Sequence, residues 1–369
     1  MENLSKERSI AVVIPCYNEE TQILDVLKGI PSFVRRIIVV NDHSSDRTRE
    51  VVQAYIQENK TEAVEFYKQQ SILIKNKFNE ADIVLAQIKE QENLKFTPSK
   101  IFNSNPEKDR IILINHLVNA GVGASIATGY KWCLDHSIDC TAVMAGDGQM
   151  DPAELESICR PVVEEGIDYV KGNRLIHRSA WLVVPKVRYF GNSILSILTK
   201  IASGYWHVSD TQTGYTAISL KALKSIRIHK IYKSYGMPND MLVKLNIAFC
   251  TLREVEIKPV YRVGEKSKMK IFKVIPRISL LLLRLFIQRL WIKYFFRDFH
   301  PLFLLYHFSF ILGGLACWYL VKISNKLISG DLVLDITMMT FSLFLIIGFQ
   351  SLFFAMWMDI QDNQRLYSR

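Results

Sequence analysis

The chain has 369 residues, with 46 lysines and arginines against 36 aspartates and glutamates, for a net charge of +10. Hydrophobic residues make up 49% of it and the mean hydropathy is +0.10, high for a purely soluble protein, with the excess gathered after residue 271. The basic balance suits an anionic membrane surface or phosphorylated substrates, and no nucleic-acid-binding signature is present. Six cysteines (16, 133, 140, 159, 250 and 317) form no CxxC pair. That pattern argues against a zinc site or a disulfide framework and reads as buried thiols in a reducing compartment. The polar opening MENLSKERSI lacks an apolar leader core, so the first domain is expected in the cytoplasm.

Residues 10–14 (IAVVI) read as a short buried strand that ends in Pro15, Cys16, Tyr17, Asn18, Glu19 and Glu20. Apolar positions Ile23, Val26, Leu27 and Ile30 then repeat at helical spacing. A second apolar run, 36–40, leads to Asn41, Asp42, His43, Ser44, Ser45 and Asp46, and a helix starts near Thr48. This alternation predicts a βαβ unit with a parallel sheet, whose polar loops follow the strand C-termini where open sheets bind nucleotides. Residues 51–110 are charged and mostly helical in pattern, closed by Pro98 and Pro106, and read as a peripheral insertion. A third strand at 111–114 precedes the glycine-spaced loop Asn119, Ala120, Gly121, Val122, Gly123, which opens a helix through His136.

Residues 141–152, TAVMAGDGQMDP, are the centre of the chain's chemistry. A strand stops at Ala145-Gly146 and releases Asp147 and Gln149, one glycine apart. Their carboxylate and amide oxygens can face one hard cation, Mg²⁺ or Mn²⁺, which completes its shell with substrate phosphates. The alternative is a strand-to-helix turn in which Asp147 or Asp151 only caps the next helix.

Residues 168–171 form a fifth predicted strand, ending at Gly172, Asn173 and Arg174. Arg174, Arg178, Lys186 and Arg188 are either a solvated cationic face or a phosphate clamp. The turn Asp210, Thr211, Gln212, Thr213, Gly214, Tyr215 follows, and Asp240 stands at the start of an apolar helix, where it can act as a first-turn acid. Alternation over 255–263 predicts a last strand. Residues 271–299 are apolar yet carry Lys273, Arg277, Arg284, Arg289, Lys293 and Arg297, the composition of an interfacial helix. Two uncharged runs, 302–321 and 336–358, are each long enough to span a bilayer. Basic residues ahead of the first run predict a cytoplasmic catalytic domain, and two spans return the C-terminus to the same side.

The motifs IPCYNE at 14–19, VNDHSSD at 40–46, NAGVG at 119–123 and DGQMDP at 147–152 resemble glycosyltransferase family 2, in particular its polyprenyl-phosphate branch. Gly172-Asn173-Arg174, the 210–215 turn, the RVGEKSK stretch at 262–268 and the terminal apolar hairpin extend the resemblance. It implies an α/β GT-A domain over 1–265 with an insertion at about 51–110, and basic juxtamembrane helices over 266–300. Two transmembrane helices over 301–358 and a cytoplasmic tail over 359–369 would follow.

The resemblance further implies that Pro15, Tyr17, Glu19 and Asp42 hold the nucleobase and ribose, with Asn119 and Gly121 counted in the donor site. Asp147 and Gln149 would hold Mg²⁺ or Mn²⁺ on the diphosphate, and Arg174, Arg188 and Lys268 would grip phosphate groups. The implied reaction is inverting transfer of one sugar from a nucleotide sugar to a polyprenyl phosphate, on a membrane-bound enzyme whose homo-oligomeric state is left open. A rival acceptor is a hydroxyl, with Asp240 as its base; a second rival is a non-catalytic nucleotide-sugar-binding scaffold. Three positions depart from the family pattern: Ala145 and Asn41 replace aspartates, and Thr216 stands where a basic residue often follows. Gln288-Arg289-Leu290-Trp291 does not match the QxxRW of processive synthases, which argues against a polymerase.

Overall fold

The computed structural model describes residues 8–59, 76–180, 186–260 and 271–368, without the side chains of 186–190, 192 and 271–275. Eight strands form one sheet: β1 (Ile10–Cys16), β2 (Arg36–Asn41), β3 (Ser99–Ile101), β4 (Ile111–His116), β5 (Cys140–Val143), β6 (Tyr169–Asn173), β7 (Thr216–Ser219) and β8 (Leu252–Glu256). Their order is β3-β4-β2-β1-β5-β7-β6-β8. β1 pairs in parallel with β2 and β5, β2 with β4, and β6 with β8, while β3 and β7 run antiparallel to their neighbours. The C-terminal ends of β1, β2, β4, β5 and β6 therefore share one edge with the N-terminal end of β7.

The helices are α1 (Ile23–Gly29), α2 (Thr48–Glu58), α3 (Glu80–Asn93), α4 (Val122–Asp135), α5 (Leu155–Glu164), α6 (Lys186–Ser203), α7 (Leu220–Ser225), α8 (Met237–Ile247), α9 (Ile271–Trp291), α10 (Pro301–Ile328) and α11 (Asp335–Gln364). Successive strand side chains alternate between faces, so the apolar runs divide between two cores. Ala11, Val13, Ile38, Val40, Ile112 and Ile114 face α4, α7 and α8. Ile10, Val12, Ile37, Val39, Ile111 and Leu113 face α1, α2 and α5. Burial on both faces is why these strands read as continuous apolar runs rather than alternating ones.

A third cluster joins α6 and α9 to the two apolar helices through Leu195, Leu282, Phe286, Leu290, Tyr306 and Ala355. At about 1.5 Å per residue, the 28 residues of α10 and the 30 of α11 reach about 42 and 45 Å. Both are long and apolar enough to cross a membrane. α9 turns Leu280, Leu283, Ile287 and Trp291 outward beside exposed Arg277 and Arg284. Arg289 and Lys293, expected on that basic face, point inward and are fully buried.

The remaining differences from the sequence reading have local causes. The last strand begins at Leu252, whose buried side chain and pairing with Tyr169 fix its start, ahead of the alternation at 255–263. β3 and β7 are too short to give a periodic signal. The insertion contributes the end of α2, then α3 with no buried residue, then β3. The second apolar helix runs past residue 358 to Gln364, because Asp359 and Asn363 are held by buried partners from the sheet domain and α9. Beyond it, Leu252 N–H donates to Leu366 O at 2.8 Å and Ser368 N–H to Leu252 O at 2.8 Å, so the chain returns to cover the edge strand β8.

Gly129 of α4 packs so closely on Val13 of β1 that a Cβ there would overlap the valine methyls. Valine recovers little helix propensity, so Gly129→Val is expected to lower stability by about 1–3 kcal/mol through overpacking. A lower Tm of the full chain in detergent is the check.

Candidate active site

The sheet's ligand edge is built from loops that fasten one another. Asn18 and His43 adopt left-handed backbone conformations (φ 57° and 59°) and turn the chain sharply after β1 and β2. Asn18 N–H donates to Ser44 Oγ at 3.0 Å, Ser45 N–H to Asn18 Oδ1 at 2.9 Å and Glu19 N–H to Thr48 Oγ1 at 2.9 Å. Pro15 is buried at the end of β1, and the Tyr17 ring is 45% exposed just beyond it. Asn41 explains its departure from aspartate: its amide nitrogen donates to Asn115 Oδ1 while its oxygen accepts from Ser44. A carboxylate accepts only, so it could not make the first bond.

Asp42 is buried at the end of β2. Its Oδ1 accepts from Ala120 N–H at 2.9 Å and lies 2.7 Å from His116 Nδ1, and its Oδ2 accepts from Gly121 N–H at 2.7 Å. Because a carboxylate only accepts, the Nδ1 of His116 carries the proton. Burial alone would raise the Asp42 pKa; the hydrogen bonds from His116, Ala120 and Gly121 outweigh it and hold the group below the ordinary carboxylate value. Asp42 thereby fixes the Asn119–Gly121 loop.

The other side of that loop is held by the chain before α8. Gly121 (φ 93°) and Gly123 approach Lys233 and Tyr232 too closely to carry a Cβ, and Gly123 N–H donates to Lys233 O at 3.0 Å. Asp240, buried in the first turn of α8, accepts from Tyr232 N–H at 2.8 Å and pairs with Lys244. Its carboxylate is thus bound to the segment that clamps the glycines.

At the end of β5, Gly146 packs within 3.3–3.4 Å (from an ideal Cβ) of Cys16, Ile23 and Pro15. Gly148 (φ 71°) turns the chain, and Asp147 Oδ1 accepts from Gln149 N–H at 3.0 Å. Asp147 and Gln149 are both half-buried. Asp151, not Asp147, performs the cap: its Oδ1 accepts from Ala153 N–H at 3.0 Å ahead of the 3₁₀ turn Pro152–Glu154. Among the described residues no cluster of three or more His, Cys, Asp or Glu side chains could hold a metal. A single carboxylate with a neighbouring amide oxygen suits Mg²⁺ or Mn²⁺ that draws its other ligands from substrate phosphate and water, and not an all-protein cage.

The 210–215 turn closes over this stretch, with Tyr215 OH donating to Asp151 O at 2.8 Å. Its anchor is Asp210, which takes the Arg174 Nε and Nη2 at 2.8 and 3.1 Å and Arg174 N–H at 3.2 Å. Burial works against the Asp210 charge, but Arg174 and Lys171 hold its pKa below the ordinary range. Glu254 of β8 accepts from Asp210 N–H at 3.0 Å and Ser209 N–H at 2.9 Å. Lys171, fully buried, donates to Thr213 O beneath the turn. The sequence reading missed Lys171, although a lysine closing the short predicted strand 168–171 beside Gly172-Asn173-Arg174 was a visible signal. Thr216 is buried at the head of β7, where it pairs with Val143 of β5 and Lys171 of β6. Arg188 is on α6 with its side chain outside the description, and Lys268 lies outside the described residues.

Residues 11–82 match the family model Glycosyl transferase family 2. The chain matches that model through β1, α1, β2 and α2. It is 27% identical over 261 residues to UDP-N-acetylglucosamine–dolichyl-phosphate N-acetylglucosaminyltransferase of Methanococcus voltae, covering 69% of this chain and 87% of that one. An uncharacterized protein of Methanocaldococcus jannaschii is 25% identical over 253 residues, covering 68% of this chain and 82% of its own. Glucosyl-3-phosphoglycerate synthase from Mycobacterium tuberculosis, in complex with Mn²⁺, UDP and glucosyl-3-phosphoglycerate, superposes with a TM-score of 0.48 at 16% identity, over 78% of this chain and 82% of that one. The loops that carry the motifs resembling that family converge on one edge of the sheet.

Burial pushes the Lys171 pKa down from 10.5 to about 8, against the pull of Asp210 and Glu254. Between those values the folded chain has released a proton that the unfolded chain keeps, so this group's contribution to stability rises with pH from about 8 to about 10.5. Below about pH 8 the contribution is flat. Lys171→Met is expected to abolish that alkaline rise, read as Tm against pH for the two proteins.

Proposed function

We propose that this glycosyltransferase moves a single sugar from a nucleoside-diphosphate sugar to a polyprenyl phosphate at the cytoplasmic face of a membrane. The observation that carries this reading is the union, in one packed body, of a polar sheet-edge site with two apolar helices of spanning length. α9 lies between them with apolar and cationic side chains turned outward together, as interfacial helices do. The Methanococcus voltae relative, whose name specifies dolichyl phosphate, supports the acceptor class.

Under this reading Pro15, Tyr17 and Glu19 receive the nucleoside, and Asp42 serves it by holding the Asn119–Gly121 loop. Asp147 and Gln149 are the ligands for Mg²⁺ or Mn²⁺, which when bound would neutralise charge on the diphosphate. Arg188 and Lys268 grip phosphate oxygens, while Arg174, committed to Asp210, holds the closing turn in shape. A phosphate oxygen of the acceptor is already anionic and attacks the anomeric carbon directly. The new carbon–oxygen bond forms as the bond to the diphosphate breaks, the nucleoside diphosphate leaves, and configuration inverts. A hydroxyl acceptor would need a general base, and the carboxylate nearest that role, Asp240, is bound to Lys244 and Tyr232.

The test is a transfer assay on detergent-purified full chain with Mg²⁺ or Mn²⁺, a polyprenyl phosphate, and UDP- and GDP-sugars. A metal-dependent glycolipid that mild acid cleaves is expected. Asp147→Ala should lower its formation by about a hundredfold or more, whereas Asp240→Asn should largely spare it. Donor hydrolysis without glycolipid would move the acceptor to a hydroxyl, and no turnover from folded protein would favour a nucleotide-sugar-binding scaffold.

A further inference from the structure

Arg289 and Asp359 form an ion pair in which both side chains are fully buried. Arg289 Nη1 meets Asp359 Oδ1 at 2.7 Å and Nη2 meets Oδ2 at 2.8 Å, a two-point fork. Tyr294 OH and Asn363 Nδ2 add bonds of 2.8 Å each to Oδ1, and Trp206 Nε1 reaches Oδ2 at 3.3 Å. Asp359 lies near the end of α11, the second apolar helix, so a carboxylate has been set where hydrocarbon would pack without cost. The transfer chemistry proposed above makes no use of it.

The guanidinium does more than answer this charge. Its Nε donates to Ala202 O at 3.0 Å and Nη2 to Ile201 O at 3.0 Å, satisfying carbonyls in the last turn of α6. Gly204, in the left-handed region at φ 78°, ends that helix, and a Cβ there would strike the guanidinium. One to two turns back along α6, Thr199 Oγ1 donates to Leu195 O at 2.7 Å and lies 3.1 Å from Asn239 Oδ1, and Ser196 Oγ lies 3.1 Å from Thr211 Oγ1. Gln212 Nε2 completes the link by donating to Asn239 Oδ1 at 3.0 Å. Ser196, Thr199, Thr211 and Asn239 are all buried. Hydrogen bonds at the two ends of this stretch, joined by the α6 helix itself, thus connect α11 through Arg289 to the turn over the candidate active site.

We propose that Arg289 and Asp359 are positioning residues: they register the 210–215 turn and the start of α8 to the membrane hairpin, and so align the site with an acceptor held in the bilayer. The kinetic part rests on the transferase reading; the structural link does not. Lysine in place of Arg289 keeps the charge but loses the fork and its planar donors, and Asp359→Asn keeps the shape but loses the charge.

The experiment compares wild type, Asp359→Asn and Arg289→Lys, each as full chain in lipid nanodiscs. Three quantities are read: nucleotide Kd, kcat for transfer to a polyprenyl phosphate, and amide hydrogen exchange. Both variants are expected to lose about tenfold to a hundredfold in kcat, the scale of a misplacement near 1 Å, with nucleotide Kd held within about twofold. Exchange should quicken at the amides of 211–215 as well as around 201–205. The proposal is overturned if faster exchange stays at 201–205 and 359–363 with kcat unchanged, since the pair would then be a staple only. It is equally overturned if Kd and kcat worsen together. Should Asp359→Asn fail to fold, Arg289→Lys decides alone. If wild type shows no transfer but exchange at 211–215 still responds, the coupling stands and the transferase reading falls.

Discussion

A single buried carboxylate, Asp42, sets the shape of the ligand edge. It accepts from His116 Nδ1 and from two consecutive backbone N–H groups, Ala120 and Gly121, and so joins the ends of β2 and β4 to the loop that starts α4. Asp42 is itself buried away from water, where leaving its carboxylate oxygens without donors is costly. The loop can leave this position only by stranding them. The glycines that let it approach Lys233 and Tyr232 then bring α8 into place, with Asp240 securing the far side. Two carboxylates on opposite flanks thus hold one loop, while the turns after β1 and β2 fasten each other and the turn after β5 packs on the end of β1.

Much of this architecture was legible in the sequence because parallel strands covered on both faces leave short apolar runs that end abruptly in polar residues. β1, β2, β4 and β5 announce themselves in that way, and the motifs at their ends carry the resemblance to family 2 glycosyltransferases. β7 does not, since Thr216–Ser219 is only four residues between a polar turn and a helix, and its strand character comes from pairing with β5 and β6. Charge was the least readable feature. Lys171, Arg289 and Lys293 look like ordinary solvated cations along the chain, and only the fold reveals that each is buried among oxygens contributed from far away. Residue type told which groups were polar; it did not tell which faced inward.

The same limit applies to the acidic positions. From the sequence, Asp147, Asp151, Asp210 and Asp240 are alike, each near a strand end or a helix start. The structure separates them by what each binds. Asp151 caps the turn that follows it, Asp210 receives the Arg174 fork, and Asp240 takes Tyr232 and Lys244. Asp147 accepts from Gln149 N–H in the turn after β5, and both residues are half-buried. On the proposed reading, the cation-binding chemistry belongs to this last stretch.

The pairing of Leu366 and Ser368 with Leu252 has a consequence for how the chain reaches its native state. The edge strand β8 receives its last partner from a segment more than a hundred residues later, beyond both apolar helices. Contacts of such long sequence separation close late, because the intervening loop's entropy must be overcome first. Until α10 and α11 have been made and docked, β8 presents unpaired backbone groups along the sheet's border, the kind of edge that recruits other chains. Completion of the sheet is therefore coupled to assembly of the hairpin, and the nascent protein depends on prompt placement of its last two helices to stay unassociated.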